Sequence, residues 1–279
     1  MAIKNFIPTI WSEKLYEELE GQYIGIKNCS REYEGEIKGC GSEVKICGVG
    51  EIEIREYNRN SEISTPQALS DTERTLKIDQ AKCFNFMIDD IDRAQSVPGI
   101  MDSAMRVAAR ALANEADLYL YEACSHSDQY VTNYESNVDN ILDTFLEARK
   151  ILYKNNVTDS SEVVFEISPE IAELVIKAKI NLATDNSEPL ENGCIGKIAG
   201  CKVYVTNNLN FSNEDGYLNH YCIARTKRAV AFAEQISEIE AYRPEKKFAD
   251  AVKGLHLYGA KIIYPKELVM MVINAARFE

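Results

Sequence analysis

Two stretches of alternating apolar and polar residues, separated by a long polar segment, constrain the fold of this chain most. Their apolar members are Val44, Ile46, Ile52 and Ile54 in the first stretch, and Leu76, Ile78, Phe84, Phe86 and Ile88 in the second. Alternation with a period of two is typical of half-buried strands, so the sequence predicts one long antiparallel hairpin. A two-stranded ribbon alone is marginally stable in water, and therefore something must cover its thin apolar face.

The tip of this hairpin, at residues 57–73, is longer than an ordinary hairpin loop and too polar to form a core. Residues 21–41 are also polar, and no periodic pattern there predicts a buried element, so we expect an arm. Because neither segment has an internal core, both are expected to lie on a neighbouring molecule. The residues predicted at subunit boundaries are Trp11, Tyr57, Ile63 and Leu69, together with the hairpin ion-pair formers Arg55, Arg59, Arg74 and Lys77.

A helical pattern of about 26 residues covers 98–123, which corresponds to a rod of about 39 Å. Apolar residues spaced by three and four predict its buried face: Met101, Met105, Ala108, Leu112, Ala116, Tyr119 and Ala123. This helix would be more than twice the average length. We therefore expect it to act as a strut for the surrounding elements.

A compact α/β region is predicted after the long helix. It begins with an amphipathic helix around Phe145 and a short buried strand, Val163–Ile167. Ser168 is the expected cap of the next helix, and Pro169 occupies its first position, where a missing N–H costs nothing. Further strands are predicted around Val203, Val205, Tyr221 and Ile223, at 236–242 and at 255–264, before an apolar run at 268–273.

The composition places the chain among folded soluble proteins, because 46 % of its 279 residues are apolar and 27 % are charged. Its apolar run at 268–273 is far shorter than the roughly 20 residues that cross a membrane, so no membrane partner is predicted. Residues 1–11 lack the pattern of a secretory signal, and we expect cytoplasmic synthesis with reduced cysteines. The net charge of −13 argues against a large phosphate-neutralising surface.

Candidate catalytic or metal-binding residues do not form a convincing site. The acids Asp89, Asp90 and Asp92, with Asp79 upstream, have the chemistry to hold Mg²⁺, but turns and helix caps explain them better. The three histidines, His126, His220 and His256, lie in no motif with a nucleophile or an acid. No cofactor or metal site is therefore predicted, and the chain is not expected to be an enzyme.

Short basic pieces are found at 225–228 and 246–247, each in acidic surroundings. A solvated face or an interface ion pair is the preferred interpretation of both, ahead of DNA recognition.

Several segments, in order along nearly the whole chain, resemble the major capsid proteins of tailed bacteriophages and prophages, which have the Hong Kong 97 type of fold. These segments are 6–12 (FIPTIWS), 31–37 (REYEGEI), 78–80 (IDQ), 84–86 (FNF), 88–92 (IDDID), 200–208 (GCKVYVTNN) and 257–261 (LYGAK). The resemblance implies an α+β subunit in four parts. These are an N-terminal arm at 1–42, an extended β-hairpin loop at 43–88, a peripheral domain at 89–135 and 236–279 that includes the spine helix at about 98–123, and an axial domain at 136–235.

The function that the resemblance implies is that of a structural protein assembling through hexamers and pentamers into an icosahedral shell around double-stranded DNA. The acidic net charge suits a container that must not hold entering phosphates tightly. The resemblance also implies a portal as a partner. Any scaffolding is expected from a separate protein, because the sequence has no long charged helical N-terminal extension. Such a protein is expected in the virion after assembly in the bacterial cytoplasm. Two alternatives stay open: an encapsulin-type compartment shell and, less favoured, a cytosolic metal-dependent hydrolase built on Asp89, Asp90 and Asp92.

Overall fold

The computed structural model describes residues 15, 17–33, 42–49, 59, 71–89, 100–181, 194–214 and 217–275. Within these ranges the fold is α+β, with helices α1 (Ile100–Cys124), α2 (Ile141–Lys154) and α3 (Pro169–Asn181). The strands are β1 (Glu43–Val49), β2 (Asp71–Lys77), β3 (Gln80–Asp89), β4 (Tyr130–Asn133), β5 (Val163–Ile167), β6 (Cys194–Ile198), β7 (Cys201–Val205), β8 (Phe211–Glu214), β9 (Tyr217–Thr226), β10 (Val230–Tyr242), β11 (Ala249–Ile262) and β12 (Leu268–Ala275). None of the described helices is both long and apolar enough to cross a membrane.

The largest sheet has the strand order β4-β12-β9-β5-β7-β6, with β8 paired to β9. Its strand β5 is buried along its whole length, as its run of large apolar residues predicts. Phe145 of α2 meets Phe165 of β5 edge to face, with ring centroids 5.0 Å apart, so this helix covers the sheet. Ser168 accepts a hydrogen bond from the Ile171 N–H at 3.4 Å, which confirms the predicted cap of α3.

The second sheet has the order β10-β11-β3 and packs against α1. Because β3 alternates strictly between half-buried and exposed residues, one face turns Phe84 and Phe86 inward and the other leaves Met87 exposed. The predicted hairpin is wrong here: Phe84, Phe86 and Ile88 pair with β11 rather than with the first hairpin strand. The chain leaves the hairpin after Lys77 and begins a new strand at Gln80.

The predicted long helix is present as α1, but its buried face is broader than the predicted one. Met105, Leu112 and Ala116 are buried as expected. The structure also buries residues one or two positions away from the predicted stripe, among them Ala109, Ala113, Leu120, Tyr121 and Cys124. A second face is covered because the N-terminal segment as well as the β3 and β11 strands pack on the helix.

The base of the hairpin is covered by its own chain. The strands β1 and β2 pair in antiparallel register, with Val44 opposite Leu76. Their buried apolar side chains join those of the second sheet in one cluster, which consists of Val44, Ile46, Leu76, Ile78, Ala231, Ala233, Leu257 and Ile263. The cover that the predicted ribbon requires is therefore supplied at this base by its own chain.

The expectation of no buried element at 21–41 is also wrong for part of that range. Tyr23, Ile26 and Cys29 are at most 2 % exposed and belong to the main core. A 3-10 turn, Ile26–Asn28, places them on one side, and Ser30 bridges to Ala231 of β10. The spacing of three residues between these apolar positions matches a 3-10 turn, and it is the sequence signal that would have predicted their burial.

The four-part division stays a prediction. Its boundary between 235 and 236 falls inside β10, and β12 of the predicted peripheral range pairs with β9 of the predicted axial range. The predicted extended loop, 43–88, includes β3, which pairs outside the hairpin. Each of the two sheets therefore crosses the predicted limits.

Candidate assembly surface

Five of the residues predicted at subunit boundaries, Trp11, Arg55, Tyr57, Ile63 and Leu69, lie outside the described residues. Arg59, in the predicted tip, is described and exposed. Arg74 and Lys77 lie on β2 at the base of the hairpin. The predicted boundary role of all eight residues stays a prediction.

Arg74 and Lys77 both have partners within their own chain. The Arg74 Nη1 donates to the carbonyl oxygen of Ile262 at 2.9 Å, which ties β2 to the end of β11. The Lys77 Nζ lies 2.9 Å from Glu43 Oε1 across the hairpin, and this hydrogen bond raises the pKa of Lys77. The Arg74 contact therefore ties the hairpin to the body of the subunit, and the Lys77 contact joins the two hairpin strands.

A buried arginine joins the N-terminal segment to the largest sheet. Arg225 of β9 is fully buried and makes two hydrogen bonds of 2.9 Å to Glu166 of β5, one from Nε and one from Nη2. Its remaining N–H groups donate to the carbonyl oxygens of Asn28 and Gly25, at 2.7 and 2.8 Å, and to the Cys29 sulfur at 3.2 Å. The predicted solvated role of 225–228 is therefore wrong for Arg225, which holds the N-terminal turn in place.

A carboxylate on the buried face of α1 holds the same turn from the other side. Asp117 is 2 % exposed and accepts hydrogen bonds from the backbone N–H groups of Ile24 and Ile26, at 3.1 and 3.2 Å. Burial raises its pKa to about 6, although these backbone hydrogen bonds act in the opposite direction. This residue was not among the predicted ones, and its only signal in the sequence is an acid between Ala113 and Leu120 on an otherwise apolar stripe.

Glu234 of β10 is the centre of a second polar cluster. Its carboxylate lies 2.5 Å from the Tyr23 hydroxyl, 2.5 Å from Arg31 Nη2 and 2.9 Å from His256 Nε2. Burial, followed by the nearby Glu234 charge, raises the pKa of Tyr23 far above its ordinary value, so this phenol stays a hydrogen-bond donor. Both clusters attach residues 23–31 to the body of the subunit.

Large apolar side chains are exposed at several places on the described surface. Phe248, in the turn between β10 and β11, is 85 % exposed, and Val107 of α1 is 68 % exposed. Others are Tyr130, Tyr134, Leu146, Tyr153, Phe211 and Tyr264. Each of these side chains is available for contact with another molecule.

The candidate metal and catalytic residues are spread over the structure. Asp90 and Asp92 lie outside the described residues, Asp89 is exposed, and Asp79 accepts a hydrogen bond from the Tyr119 hydroxyl at 2.8 Å. His256 is bound to Glu234, while His220 is buried on β9 and His126 is exposed after α1. In the described ranges no group of three or more His, Cys, Asp or Glu side chains has the arrangement of a metal site.

No protein-family profile matches the sequence, and no curated protein matches it. Solved structures do match. A chain from Mycobacterium phage Che8 superposes with a TM-score of 0.70 at 26 % identity, over 90 % of this chain and 91 % of that chain. A chain from the capsid structure of cyanophage P-SCSP1u has a TM-score of 0.65 at 14 % identity, over 85 % and 84 % of the two chains.

An encapsulin structure also matches. The chain from the holo-SrpI encapsulin complex of Synechococcus elongatus PCC 7942 has a TM-score of 0.59 at 10 % identity, over 85 % of this chain and 84 % of that chain. Both the TM-score and the identity are lower than for the two phage chains.

Proposed function

We propose that this chain, which has the Hong Kong 97-type fold of phage major capsid proteins, assembles in many copies into the icosahedral head of a tailed phage or prophage. The observation that carries the proposal is the similarity to phage chains along about nine-tenths of the sequence. The predicted resemblance to this family and the predicted α+β fold are confirmed.

The surface of the described residues supports self-assembly. The exposed side chains of Phe248 and Val107 would each gain free energy if a contact between copies buried them. Buried charges hold the N-terminal turn, and buried apolar side chains hold the hairpin base, to the body of the subunit. The subunit therefore presents a preorganised body, and association loses less conformational entropy than it would if these segments folded on contact.

We assign the four predicted parts as an N-terminal arm, an extended loop, a peripheral domain and an axial domain. The base of the hairpin supports the second assignment, because Arg74 and the shared apolar cluster attach it to the body at one place. The tip beyond it is polar and long, so we propose that it lies on an adjacent subunit. Trp11, Tyr57, Ile63 and Leu69 are the apolar contacts, and Arg55, Arg59, Arg74 and Lys77 supply ion pairs.

We propose that the shell encloses double-stranded DNA without sequence-specific contacts, since a net charge of −13 opposes tight phosphate binding. No catalytic step is assigned to the chain. Hexamers and pentamers are its assembly units, a portal and a separate scaffolding protein are its other partners, and the virion is its final location after assembly in the host cytoplasm.

The encapsulin-type shell is the alternative within the same fold, and the weaker match makes it less favoured. The metal-dependent hydrolase is less favoured again, because a capsid fold needs no active site.

Negative-stain microscopy and velocity sedimentation of the purified chain, with and without phage scaffold, test the proposal. We expect closed particles of uniform diameter, and particles from infected or induced cells should absorb strongly at 260 nm. Copurification of one enzyme in nucleic-acid-free particles would favour the encapsulin alternative. A metal-dependent activity lost in Asp90→Ala, in a chain that never assembles, would favour the hydrolase.

The hairpin tip is tested by replacing residues 51–69 with a short Asn-Gly turn. We expect the monomer to keep its melting temperature, because the buried base is untouched, and assembly to fail. The matched control is the triple variant Tyr57→Phe, Ile63→Val, Leu69→Ile, which conserves the apolar surface and should assemble. Normal assembly of the shortened variant would overturn the assigned role of the tip.

A further inference from the structure

A groove of about 1080 Å³ lies beside the N-terminal turn. Its walls come from residues 27–32, from the loop before β5, from Val164 of β5 and Lys202 and Tyr204 of β7, and from residues 226–228 at the end of β9. The groove therefore sits over the β5 and β7 side of the largest sheet, above the buried Arg225 that holds the N-terminal turn.

This groove is basic in an otherwise acidic chain. Its cations are Lys27, Arg31, Lys202, Lys227 and Arg228, against the two acids Glu32 and Glu162. Arg31 and Arg228 are bound to Glu234 and Glu267. Lys27 and Lys227 are exposed, and the described part of the chain forms no ion pair with either of them. We call this set of residues the basic groove.

The edge of the same sheet at β4 is acidic. Residues 128–143, which span β4 and the start of α2, contain four Asp and Glu side chains and no Lys or Arg. These four acids are exposed and form no ion pair within the described ranges: Asp128, Glu135, Asp139 and Asp143. Exposed Tyr130 and Tyr134 lie among them, 66 % and 60 % exposed. We call this surface the acidic edge.

The basic groove and the acidic edge lie toward opposite ends of the strand order in one sheet. The strand β4 is an edge strand, and β7 is four strand positions away in the order β4-β12-β9-β5-β7. At about 4.8 Å between neighbouring strands, this separates them by about 19 Å. A single subunit cannot bring the two surfaces together without unfolding the sheet.

We propose that the acidic edge of one copy binds in the basic groove of the next copy, head to tail. The inference rests on the proposed function and names one contact by which the subunits associate. Because the two surfaces differ, the contact is heterologous, and repeated contacts of this kind close into rings when the rotation between copies allows it. A chain of net charge −13 repels its own copies, so a complementary patch both offsets this repulsion and fixes the orientation of docking.

A second copy fits the basic groove better than nucleic acid does. The acidic edge offers exposed tyrosines beside its carboxylates, whereas a phosphate backbone offers charged groups without aromatic rings beside them. The groove also presents Val164 and Tyr204, and the acidic edge presents Tyr130 and Tyr134. Apolar and aromatic residues among charges are typical of protein–protein contacts.

Charge reversal with rescue tests the proposal. Lys27→Glu with Lys227→Glu reverses the groove, and Glu135→Lys with Asp139→Lys reverses the edge. Each pair is expected to raise the subunit concentration needed for half-maximal assembly by at least about tenfold, because like charges then meet. Combining all four substitutions in one chain should return this concentration to within about threefold of the wild-type value. Sedimentation and negative-stain particle counts are the measurements.

A matched control separates this contact from total charge. Lys246→Glu with Lys247→Glu makes the same charge change on the turn between β10 and β11. Adding Glu135→Lys and Asp139→Lys should not rescue any assembly defect of this control variant. Melting temperatures of the unassembled variants check folding. Where reversal lowers the melting temperature, Lys27→Gln with Lys227→Gln replaces it, with a smaller expected defect of about threefold that high salt does not worsen.

The outcomes are distinct. Wild-type assembly of both reversed variants, or a failed rescue in the combined variant, overturns the head-to-tail contact while leaving the proposed function intact. Normal shells from the groove-reversed variant with reduced nucleic-acid content would identify nucleic acid as the occupant and also overturn it. Absence of particles from the wild-type chain would instead contradict the proposed function itself.

Discussion

Arg225 and Glu166 form a two-armed ion pair with both side chains fully buried, each arm measuring 2.9 Å. The pair joins the neighbouring strands β9 and β5. Arg225 also donates hydrogen bonds to the carbonyl oxygens of Gly25 and Asn28, which are about 200 positions away in the sequence. Because each Arg225 N–H has an acceptor, the cost of burying its charge is offset within the site.

Replacing Arg225 with Met is expected to lower the free energy of unfolding by about 3–5 kcal/mol, because Glu166 would remain buried and charged without its partner. Urea unfolding of the unassembled chain measures this change. Arg228→Met is the matched control. That guanidinium is 63 % exposed beside Glu267, so its loss should cost less than about 1 kcal/mol. Equal losses for the two variants would contradict the structural role of the buried pair.

Asp117 should give the unfolding free energy a specific pH dependence. Its pKa of about 6 in the folded chain exceeds the ordinary 3.8, so between these values the folded state binds a proton that the unfolded state has released. The contribution of Asp117 to the free energy of unfolding is therefore fully present below about pH 4. It decreases by on the order of 1–3 kcal/mol as the pH rises to about 6.

The measurement is the unfolding free energy of wild type and Asp117→Asn from pH 4 to pH 7. The variant should lack this decrease, so the difference between the two proteins should change with pH in that window. Asp128→Asn, at an exposed position, should keep the wild-type profile. A difference that is constant with pH for Asp117→Asn would contradict the prediction.

Gly259 is required where the hairpin base crosses β11. A Cβ built at this glycine would lie 2.0 Å from the carbonyl oxygen of Lys77, a backbone atom that cannot rotate away. Gly259→Ala should therefore destabilise the chain by at least about 1–3 kcal/mol, and hydrogen exchange should show faster opening of β1 and β2. Gly21→Ala, where nothing lies within 4 Å, is the matched control and should be neutral or slightly stabilising. Similar effects at both glycines would count against this packing.

Phe248 should matter for assembly and not for folding. Its ring is 85 % exposed, so Phe248→Ser is expected to change the unfolding free energy by no more than about 0.5 kcal/mol while reducing the yield of particles. Phe232→Ser makes the same chemical change at a fully buried ring and should destabilise the monomer by about 3–5 kcal/mol. Thermal unfolding and particle counts separate the two effects, and an unchanged particle yield for Phe248→Ser would exclude this residue from the contacts.

Elements with local signals were predicted well. The long helix was placed within a few residues of α1, the strand Val163–Ile167 was predicted with the bounds it has, and Ser168 caps α3 as expected. In each case the decisive preference lies within a few neighbouring residues: helical periodicity, a run of buried side chains, or a hydroxyl beside the first turn. Such preferences act before any distant part of the chain is in place.

The sequence did not predict which distant strand or side chain each residue contacts. Phe84 and Phe86 have the alternation of a strand, but alternation does not say whether that strand continues the hairpin or joins β11. Arg225 resembles a surface cation in the sequence, but in the structure it is buried and donates hydrogen bonds to the N-terminal turn. The interface hypothesis for the hairpin tip stays a prediction, since most of its residues lie outside the described ranges.

The amino-acid sequence by itself determined the elements, the acidic balance and the resemblance to phage capsid proteins, because periodicity, charge and short motifs are local properties. Only the tertiary structure decided that the hairpin base is buried on its own chain and that residues 23–30 belong to the core. It alone placed a basic groove and an acidic edge toward opposite ends of one sheet. These outcomes depend on contacts between residues tens to hundreds of positions apart. Such contacts stabilise the chain only after the sheets have formed and have brought those residues together.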